Sequence, residues 1–303
     1  MDKFADIQAF VAVVETQGFS AAALRLGVGK SVVSRRVGLL EKRLGVQLMQ
    51  RTTRRLSLTD AGRQFHARAV HILADLEDAE QAVVDEAAEL RGSLKLAVPL
   101  SFGLRHLSPA VADFLNQHPG IELDLDLNDR WVNLVEEGFD MAVRIGTLKD
   151  SSLLARRLGR VRFVTCASPE YLQRHGTPGH PSDLEQHAGL QYSNLSARQY
   201  WRFRAPNRDQ LIAQPDIRMR ANNGDVLVQA AIAGMGIVIS PTFIVAEHLR
   251  SGRLQTVLED FSFRQEGIYA VYPPGRLVSR RIRAFSDFLA TRFGDRPYWE
   301  QGL

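Results

Sequence analysis

The sequence predicts an α/β protein of two domains joined by one long helix, and three observations support this. The chain of 303 residues is twice the ~150 residues used as a prior for one domain. A proline-free stretch, residues 59–90, separates a short basic region from the rest. Beyond Gly92 the pattern alternates strands with helices, which predicts a largely parallel α/β sheet.

The composition is that of a globular protein and excludes several other classes. Apolar residues make up 45% and charged residues 24%, which argues against intrinsic disorder and collagen-like chains. The single cysteine, Cys166, excludes a disulfide within the chain and fits a reducing cytoplasm, where we expect the protein to reside. We find neither a signal peptide nor a run of about 18 apolar residues, so no membrane span is expected.

The charge is unevenly distributed, although the net charge is only +4. The head, residues 1–65, has 11 Lys/Arg against 5 Asp/Glu. The connector, residues 66–91, has 2 against 7, and the body, residues 92–303, has 25 against 22. This asymmetry predicts that the head meets a polyanion.

The connector is predicted to continue one helix over residues 59–90. Thr59 can cap this helix, and Asp60 in its first turn complements the helix dipole. A heptad-like apolar seam follows, formed by Ala69, Leu73, Leu76, Val83, Ala87 and Leu90. Such a seam predicts pairing with the same helix of a second chain, and the alternative is packing along the chain's own body.

The head has the pattern of a helix-turn-helix. A helix over 4–18 ends at Gly18, Ser20 caps a second helix over 21–26, and a glycine turn over 27–29 follows. A third helix runs from Lys30 or Ser31 to Leu44, with Val33, Val37, Leu40 and Leu44 on its inner face. Small and basic residues in its first turns suit a helix that enters the major groove of DNA.

Two short alternating runs around a basic tip, residues 48–58, predict a β-wing. Its arginines can reach the minor groove or the phosphates, whereas a solvated basic surface is the alternative. The residues predicted to contact DNA are Ser20, Lys30, Ser31, Ser34, Arg35, Arg36, Arg51, Arg54 and Arg55.

In the body, strands are predicted at 94–98, 121–127, 140–145, 162–167, 190–192, 237–240 and 268–272. Helices are predicted to follow a turn at 99–103 as far as Gln117, and at 131–137, 169–175, 225–233 and 279–293. The ends of parallel strands and the starts of helices are where small molecules bind in such folds.

The first 90 residues resemble the N-terminal region of LysR-type transcriptional regulators. The motifs are Phe19-Ser20-Ala21-Ala22-Ala23, Val33-Ser34-Arg35-Arg36-Val37, Leu40-Glu41, Leu44-Gly45-Val46, Leu48, Arg51-Thr52-Thr53-Arg54 and Leu58-Thr59-Asp60-Ala61-Gly62. Further motifs at 140–146, 150–153, 155–158 and 166–172 extend the resemblance through the body. The resemblance implies a winged helix-turn-helix over 1–58, a dimerising linker helix over 59–91 and an effector-binding domain over 92–303.

The resemblance also implies that the effector domain has the two-lobed fold of type 2 periplasmic binding proteins. Lobe I would take about 92–161 and 268–303, and lobe II about 162–267. An effector would bind between the lobes, where the resemblance implies contacts from Ser101, Phe102, Arg144, Gly146, Asn223 and Gly224. Arg144 could pair with a carboxylate effector, and the alternative is a salt bridge within its own lobe.

The expected partners are a double-stranded DNA operator and a small-molecule effector. The resemblance also implies a homotetramer. The sequence gives no catalytic triad, no metal-ligand spacing and no cofactor motif, so we expect neither an enzyme nor a metal or cofactor site. The alternatives are a two-lobed small-molecule-binding protein of another kind, or an enzyme with an accessory DNA-binding head.

Overall fold

The computed structural model describes residues 2–51, 56–84, 89–146, 153–195, 201–205, 210–261, 266–273 and 279–303. They belong to two compact units. The first unit comprises Met1–Gly92, Asn133–Phe139 and Gly275–Arg280, and the second comprises Ser93–Val132, Asp140–Pro274 and Arg281–Leu303. Among the helices of these ranges, none is both long and apolar enough to cross a bilayer.

Three helices build the head, as predicted: α1 (Lys3–Glu15), α2 (Phe19–Arg25) and α3 (Lys30–Leu44). The side chain of Asp2 caps α1 by accepting hydrogen bonds from the amides of Phe4 and Ala5, both at 3.1 Å. Ser20 was predicted to cap α2, but Gly18 holds the cap position and Ser20 lies inside the helix. Gly45 ends α3 in the left-handed conformation, with φ 70°.

The core of the head forms between α1 and α3. Phe10, Val33, Val37 and Leu40 are fully buried, and burying each such side chain contributes about 1.5–3 kcal/mol. Leu44 was predicted on the same inner face but is 39% exposed, because it lies in the last turn of α3 beyond this core.

The wing and the next helix share a tight junction. The wing strands β1 (Met49–Arg51) and β2 (Leu56–Leu58) pair antiparallel, as predicted. The helix α4 (Asp60–Val84) begins beside them, and the Thr59 hydroxyl accepts a hydrogen bond from the Gly62 amide at 2.9 Å. A Cβ on Gly62 would lie 1.9 Å from the Leu48 carbonyl oxygen, so only glycine allows this approach.

The long helix is shorter than predicted. It is described to Val84, whereas Glu89 and Leu90 are not helical and a strand begins at Arg91; residues 85–88 lie outside the described ranges. Its 25 residues span about 37 Å at 1.5 Å per residue. The seam is also divided, because Ala69 is fully buried in the head core and Leu73 packs against that core.

The second unit contains two five-stranded sheets. The strands are β3 (Arg91–Val98), β4 (Gly120–Leu127), β5 (Met141–Gly146), β6 (Leu154–Val161), β7 (Phe163–Ala167), β8 (Ala188–Tyr192), β9 (Arg202–Arg204), β10 (Gln210–Ile212), β11 (Asp216–Ala221), β12 (Ile237–Pro241), β13 (Gln255–Val257) and β14 (Glu266–Tyr272). The first sheet, in lobe I, has the order β4-β3-β5-β14-β6, and the second, in lobe II, has the order β11-β8-β12-β7-β13. The strands β9 and β10 form a separate antiparallel pair.

The expectation of largely parallel sheets was wrong. The pairs β3–β5, β8–β11 and β8–β12 are parallel, but β5–β14, β6–β14, β7–β12 and β7–β13 are antiparallel. Only Arg162 separates β6 from β7, and these strands belong to different sheets, so the chain changes lobe without a crossover helix. The arginine-rich β6 is an edge strand, which explains why its pattern shows no clear alternation.

The remaining helices are α5 (Leu100–Phe102), a π-helical stretch (Gly103–Leu107), α6 (Ser108–Gln117), α7 (Pro169–His175), α8 (Gly224–Ile232), α9 (Thr242–Arg250) and α10 (Arg280–Phe293). Two predictions were wrong. Residues 131–137 form no helix, since 131–133 are irregular and 134–138 form turns, and 99–103 begin a helix rather than a turn. In 131–137, Asn133 accepts two backbone hydrogen bonds in a local turn, which competes with helix formation.

Candidate functional site

The solvent face of α3 is polar and basic. Ser31 and Arg35 are exposed, Ser34 and Arg36 are half-buried, and the exposed Lys30 begins the helix. None of the three basic residues forms an ion pair within the described part of the chain. The opposite face is fixed in the head core, so this polar face is held towards solvent.

Other polar residues of the resembling motif have structural roles. Glu41 accepts hydrogen bonds from the amides of Leu48 and Met49, at 2.8 and 3.2 Å, and so joins α3 to the wing. Arg43 lies 3.5 Å from the buried carboxylate of Asp6, which ties α3 to α1. Arg43 therefore belongs to the fold rather than to the basic surface.

The predicted wing contacts are only partly described. Arg51 ends β1, and its side chain is outside the description. Arg54 and Arg55 lie outside the described residues. Ser20 is exposed in the first turn of α2, whose N-terminal amides receive no side-chain cap.

In the body, polar side chains from the two lobes meet where β3 and β11 end. Ser101 of α5 donates a hydrogen bond to Asp225 of α8, and Arg105 donates two to the same carboxylate, at 2.5 and 3.0 Å. Asn223 donates to Ser101 at 3.2 Å and to Asp129 at 3.4 Å. We call these five residues the interlobe cluster.

Asp129 lies just beyond β4 and is half-buried in this cluster. Its carboxylate accepts a hydrogen bond from the Leu100 amide at 3.1 Å. Burial raises the pKa of Asp129, and the negative charge of Asp225 adds to that shift. The Asn194 amide donates to the Asp129 carbonyl at 2.8 Å and to the Tyr192 hydroxyl at 3.1 Å, so these residues are neighbours.

Tyr192 is affected by the same surroundings. Burial, with the nearby charge of Asp129, raises the pKa of Tyr192 to about 12, so its hydroxyl stays protonated at neutral pH. Tyr192 ends β8 on the lobe II side of the cluster.

The N-terminus of α8 is already occupied by its own chain. Asn223 accepts hydrogen bonds from the amides of Asp225 and Val226, at 3.1 and 3.3 Å. Gly224 follows, and a Cβ there would lie 2.7 Å from the end of the Ile244 side chain. The amides expected to attract an anionic effector therefore bind an internal side chain.

Arg144 is held by lobe I. Its guanidinium donates to the carbonyls of Arg130 and Val132, at 3.1 and 3.5 Å, and lies 5.0 Å from the centre of the Trp131 ring. Gly146 ends the same strand with φ 146°, a conformation that favours glycine. These contacts favour a structural role for Arg144 in addition to its predicted contact with a carboxylate effector.

Phe102 is fully buried in an aromatic cluster. Its ring centre lies 5.1–6.0 Å from those of Phe243, Phe293, His106 and Trp299. Its position favours a core role over the predicted effector contact.

No group of His, Cys, Asp and Glu that could hold a metal ion occurs among the described residues. Burial raises the pKa of Cys166 to about 12, so the thiolate that reactive cysteines require is disfavoured.

Sequence reasoning missed Arg105 and Asp129 as parts of the interlobe cluster. A usable signal existed for Asp129, which comes directly after the predicted strand 121–127, and strand ends were already taken as site positions. Arg105 lies in the π-helical stretch, which no sequence pattern predicts.

Comparison with known protein families identifies the family to which the chain belongs. The family model "LysR substrate binding domain" matches residues 87–294, and "Bacterial regulatory helix-turn-helix protein, lysR family" matches residues 4–63. The chain belongs to the LysR family of bacterial transcriptional regulators. It is therefore a DNA-binding regulator with an effector-binding domain, and not an enzyme.

Similar LysR-type proteins support this assignment along the whole chain. The regulator is 37% identical over 292 residues to the uncharacterized regulator YhjC of Escherichia coli K12, covering 96% of this chain and 97% of that protein. It is 36% identical to the regulator CrgA of Neisseria meningitidis serogroup B, covering 96% and 97%. A solved structure of CrgA matches with a TM-score of 0.61 and 35% identity, covering 96% and 99%.

Proposed function

We propose that this regulator binds a double-stranded operator through α3 and the wing. The observation that carries the proposal is the solvent face of α3, on which Ser31, Ser34 and Arg35 surround a polar surface without ion pairs to the described residues. Side chains on such a face reach base edges when the helix lies in the major groove.

The other head residues supply contacts to the DNA backbone in this proposal. Ser20 is exposed in the first turn of α2, and its hydroxyl suits a phosphate contact. Lys30 and Arg36 add positive charge beside the groove. Arg51, Arg54 and Arg55 of the wing remain predicted contacts to the minor groove or phosphates.

We infer further that a small-molecule effector binds between the lobes and changes operator binding or DNA bending. Ser101 and Asn223 support this site, because they lie where polar groups of both lobes meet. An effector that binds one lobe arrangement more tightly shifts the protein towards it. Gly146, Gly224 and Arg144 remain predicted effector contacts near this site, and Arg144 remains the predicted partner of a carboxylate effector. Phe102 has less support as an effector contact.

The proposed assembly is a homodimer through α4 and a homotetramer on DNA. Because Ala69 and Leu73 serve the head core, the seam available to a second chain begins at Leu76, which is half-buried. A DNA partner and one buried thiol fit a protein of the cytoplasm.

An operator titration tests the DNA proposal. Arg35→Ala should weaken binding to the upstream region of the protein's own gene by about tenfold to a hundredfold and relax base preference at one position. Arg174→Ala is the matched control, since Arg174 is an exposed arginine of lobe II paired with Glu170. Unchanged operator affinity of the Arg35 variant, against scrambled DNA, would refute the proposed recognition surface.

A further inference from the structure

The charges of the interlobe cluster do not balance. Arg105 is its only cation, and its guanidinium donates both hydrogen bonds to Asp225. Asp129 receives only amide hydrogen bonds, from Leu100 and Asn223. Within the described part of the chain, Asp129 has no ion-pair partner, so the cluster has one carboxylate more than it has cations.

A second observation points to the same place. Ser240 is 2% exposed, and its hydroxyl has no hydrogen-bond partner in the described structure. Val238 pairs with Leu190 in the parallel strands β12 and β8. Ser240 and Tyr192 each lie two residues beyond this pair, near the same end of the sheet. A buried hydroxyl without a partner is costly unless a ligand satisfies it.

We propose that the site between the lobes binds an ammonium group of the effector, with the Asp129 carboxylate as its counter-ion. This inference rests on the proposed function and names the chemistry of its effector. The hydroxyl oxygen of Tyr192, which shares Asn194 with Asp129, is a further acceptor, and an ammonium has three N–H groups to donate. The raised pKa of Asp129 fits a carboxylate whose counter-ion arrives with the ligand.

A purely anionic effector fits these groups less well. Arg105 is engaged by Asp225, and Arg144 is engaged by the carbonyls of Arg130 and Val132. A simple carboxylate would have to displace one of these contacts and then lie near two carboxylates. An amine and a zwitterionic amino acid share the required ammonium, and the two can be separated by experiment.

Three matched probes test the proposal on the full-length protein by calorimetry and thermal shift: propylamine, β-alanine and propionate. We expect the ammonium-bearing probes to bind and propionate not to bind. Binding of β-alanine but not propylamine indicates an amino acid, and both outcomes support an ammonium site. Binding of propionate without propylamine or β-alanine overturns it, as does a failure of both ammonium probes to bind.

A variant tests the role of Asp129 directly. Asp129→Asn keeps the acceptor for the Leu100 amide and should weaken ammonium binding by about tenfold to a hundredfold, the usual loss of a charged hydrogen bond. Asp124→Asn is the control, because it removes the same charge from an exposed position of β4. Equal affinities of the wild type and Asp129→Asn would overturn the assignment.

The proposed function fails in a distinguishable way. An ammonium probe that binds between the lobes but leaves operator affinity and DNA bending unchanged contradicts the effector mechanism. The same result leaves the ammonium assignment intact.

Discussion

In the head, the side chains proposed to read DNA bases lie on one helix, whereas the interlobe cluster of the body collects groups from distant parts of the chain. The hydrogen bonds of Ser101 with Asp225 and Asn223 span 124 and 122 residues, and that of Asn223 with Asp129 spans 94. A helical face depends on local periodicity, but the cluster depends on the packing of two sheets. The two regions should therefore respond to substitution independently.

The largest expected effect is loss of the head core. Phe10→Ala should lower the free energy of unfolding of the head by about 3–5 kcal/mol, because Phe10 is fully buried. Hydrogen exchange resolved by segment should show faster exchange in α1 and α3 with unchanged protection in β7 and β12. Phe203→Ala is the reciprocal control in lobe II, where Phe203 is 1% exposed. Loss of protection in both regions from either variant would contradict their independence.

A smaller effect is expected from the contact between the lobes. Asp225→Asn should lower the stability of the body by about 1–2 kcal/mol, because the two hydrogen bonds from Arg105 lose their charged acceptor at a partly exposed site. Denaturant unfolding measures the change, with Asp124→Asn as the control for net charge. A loss no greater than that of the control would mean that solvent screens the contact fully.

The helix α3 offers a substitution of the opposite sign. Gly38 lies inside α3, one turn beyond Ser34, and a Cβ there would meet no atom within 4 Å in the described chain. Gly38→Ala should therefore raise the stability of the head by about 1 kcal/mol in thermal unfolding. A destabilised variant would show that a contact outside the described residues fills this space.

The smallest effect concerns pH. A carboxyl whose folded-state pKa is raised binds its proton more tightly in the folded state, so its ionisation above the ordinary pKa of 3.8 costs stability. Asp129→Asn should thus be slightly more stable than the wild type at neutral pH. The difference is small because the group is half-exposed and screened.

Unfolding curves at several pH values check this expectation. The advantage of Asp129→Asn should disappear as the pH falls through the raised pKa towards 3.8. An advantage that grows on acidification would reverse the sign and refute the shift.

The sequence predicted the head almost completely. The spacing of Val33, Val37 and Leu40 fixed the inner face of α3, and Gly45 marked its end. The errors lie at the ends, at Ser20 and Leu44, where periodicity no longer constrains a residue.

Seven strands of the body were predicted, but their directions were not, and β6, β9, β10, β11 and β13 were missed. The apolar patterns of β8 and β12 and of β5 and β14 look alike, yet the first pair is parallel and the second antiparallel. The direction of a strand depends on where the chain passes from one sheet to the other, at Arg162. The hydrophobic pattern of a strand does not encode this point. For the same reason, Asn223 was predicted for the interlobe site but its partner Asp129 was not.

The glycine at the start of α4 has a mechanical consequence. Because Gly62 lies against the Leu48 carbonyl and Thr59 bonds to both sides of the junction, α4 cannot swivel where it meets the wing. Phe65 adds an aromatic contact to Phe10, with ring centres 5.7 Å apart. Any rotation of α4 thus turns the winged helix-turn-helix as one rigid piece. The regulator must therefore bend elsewhere along the chain.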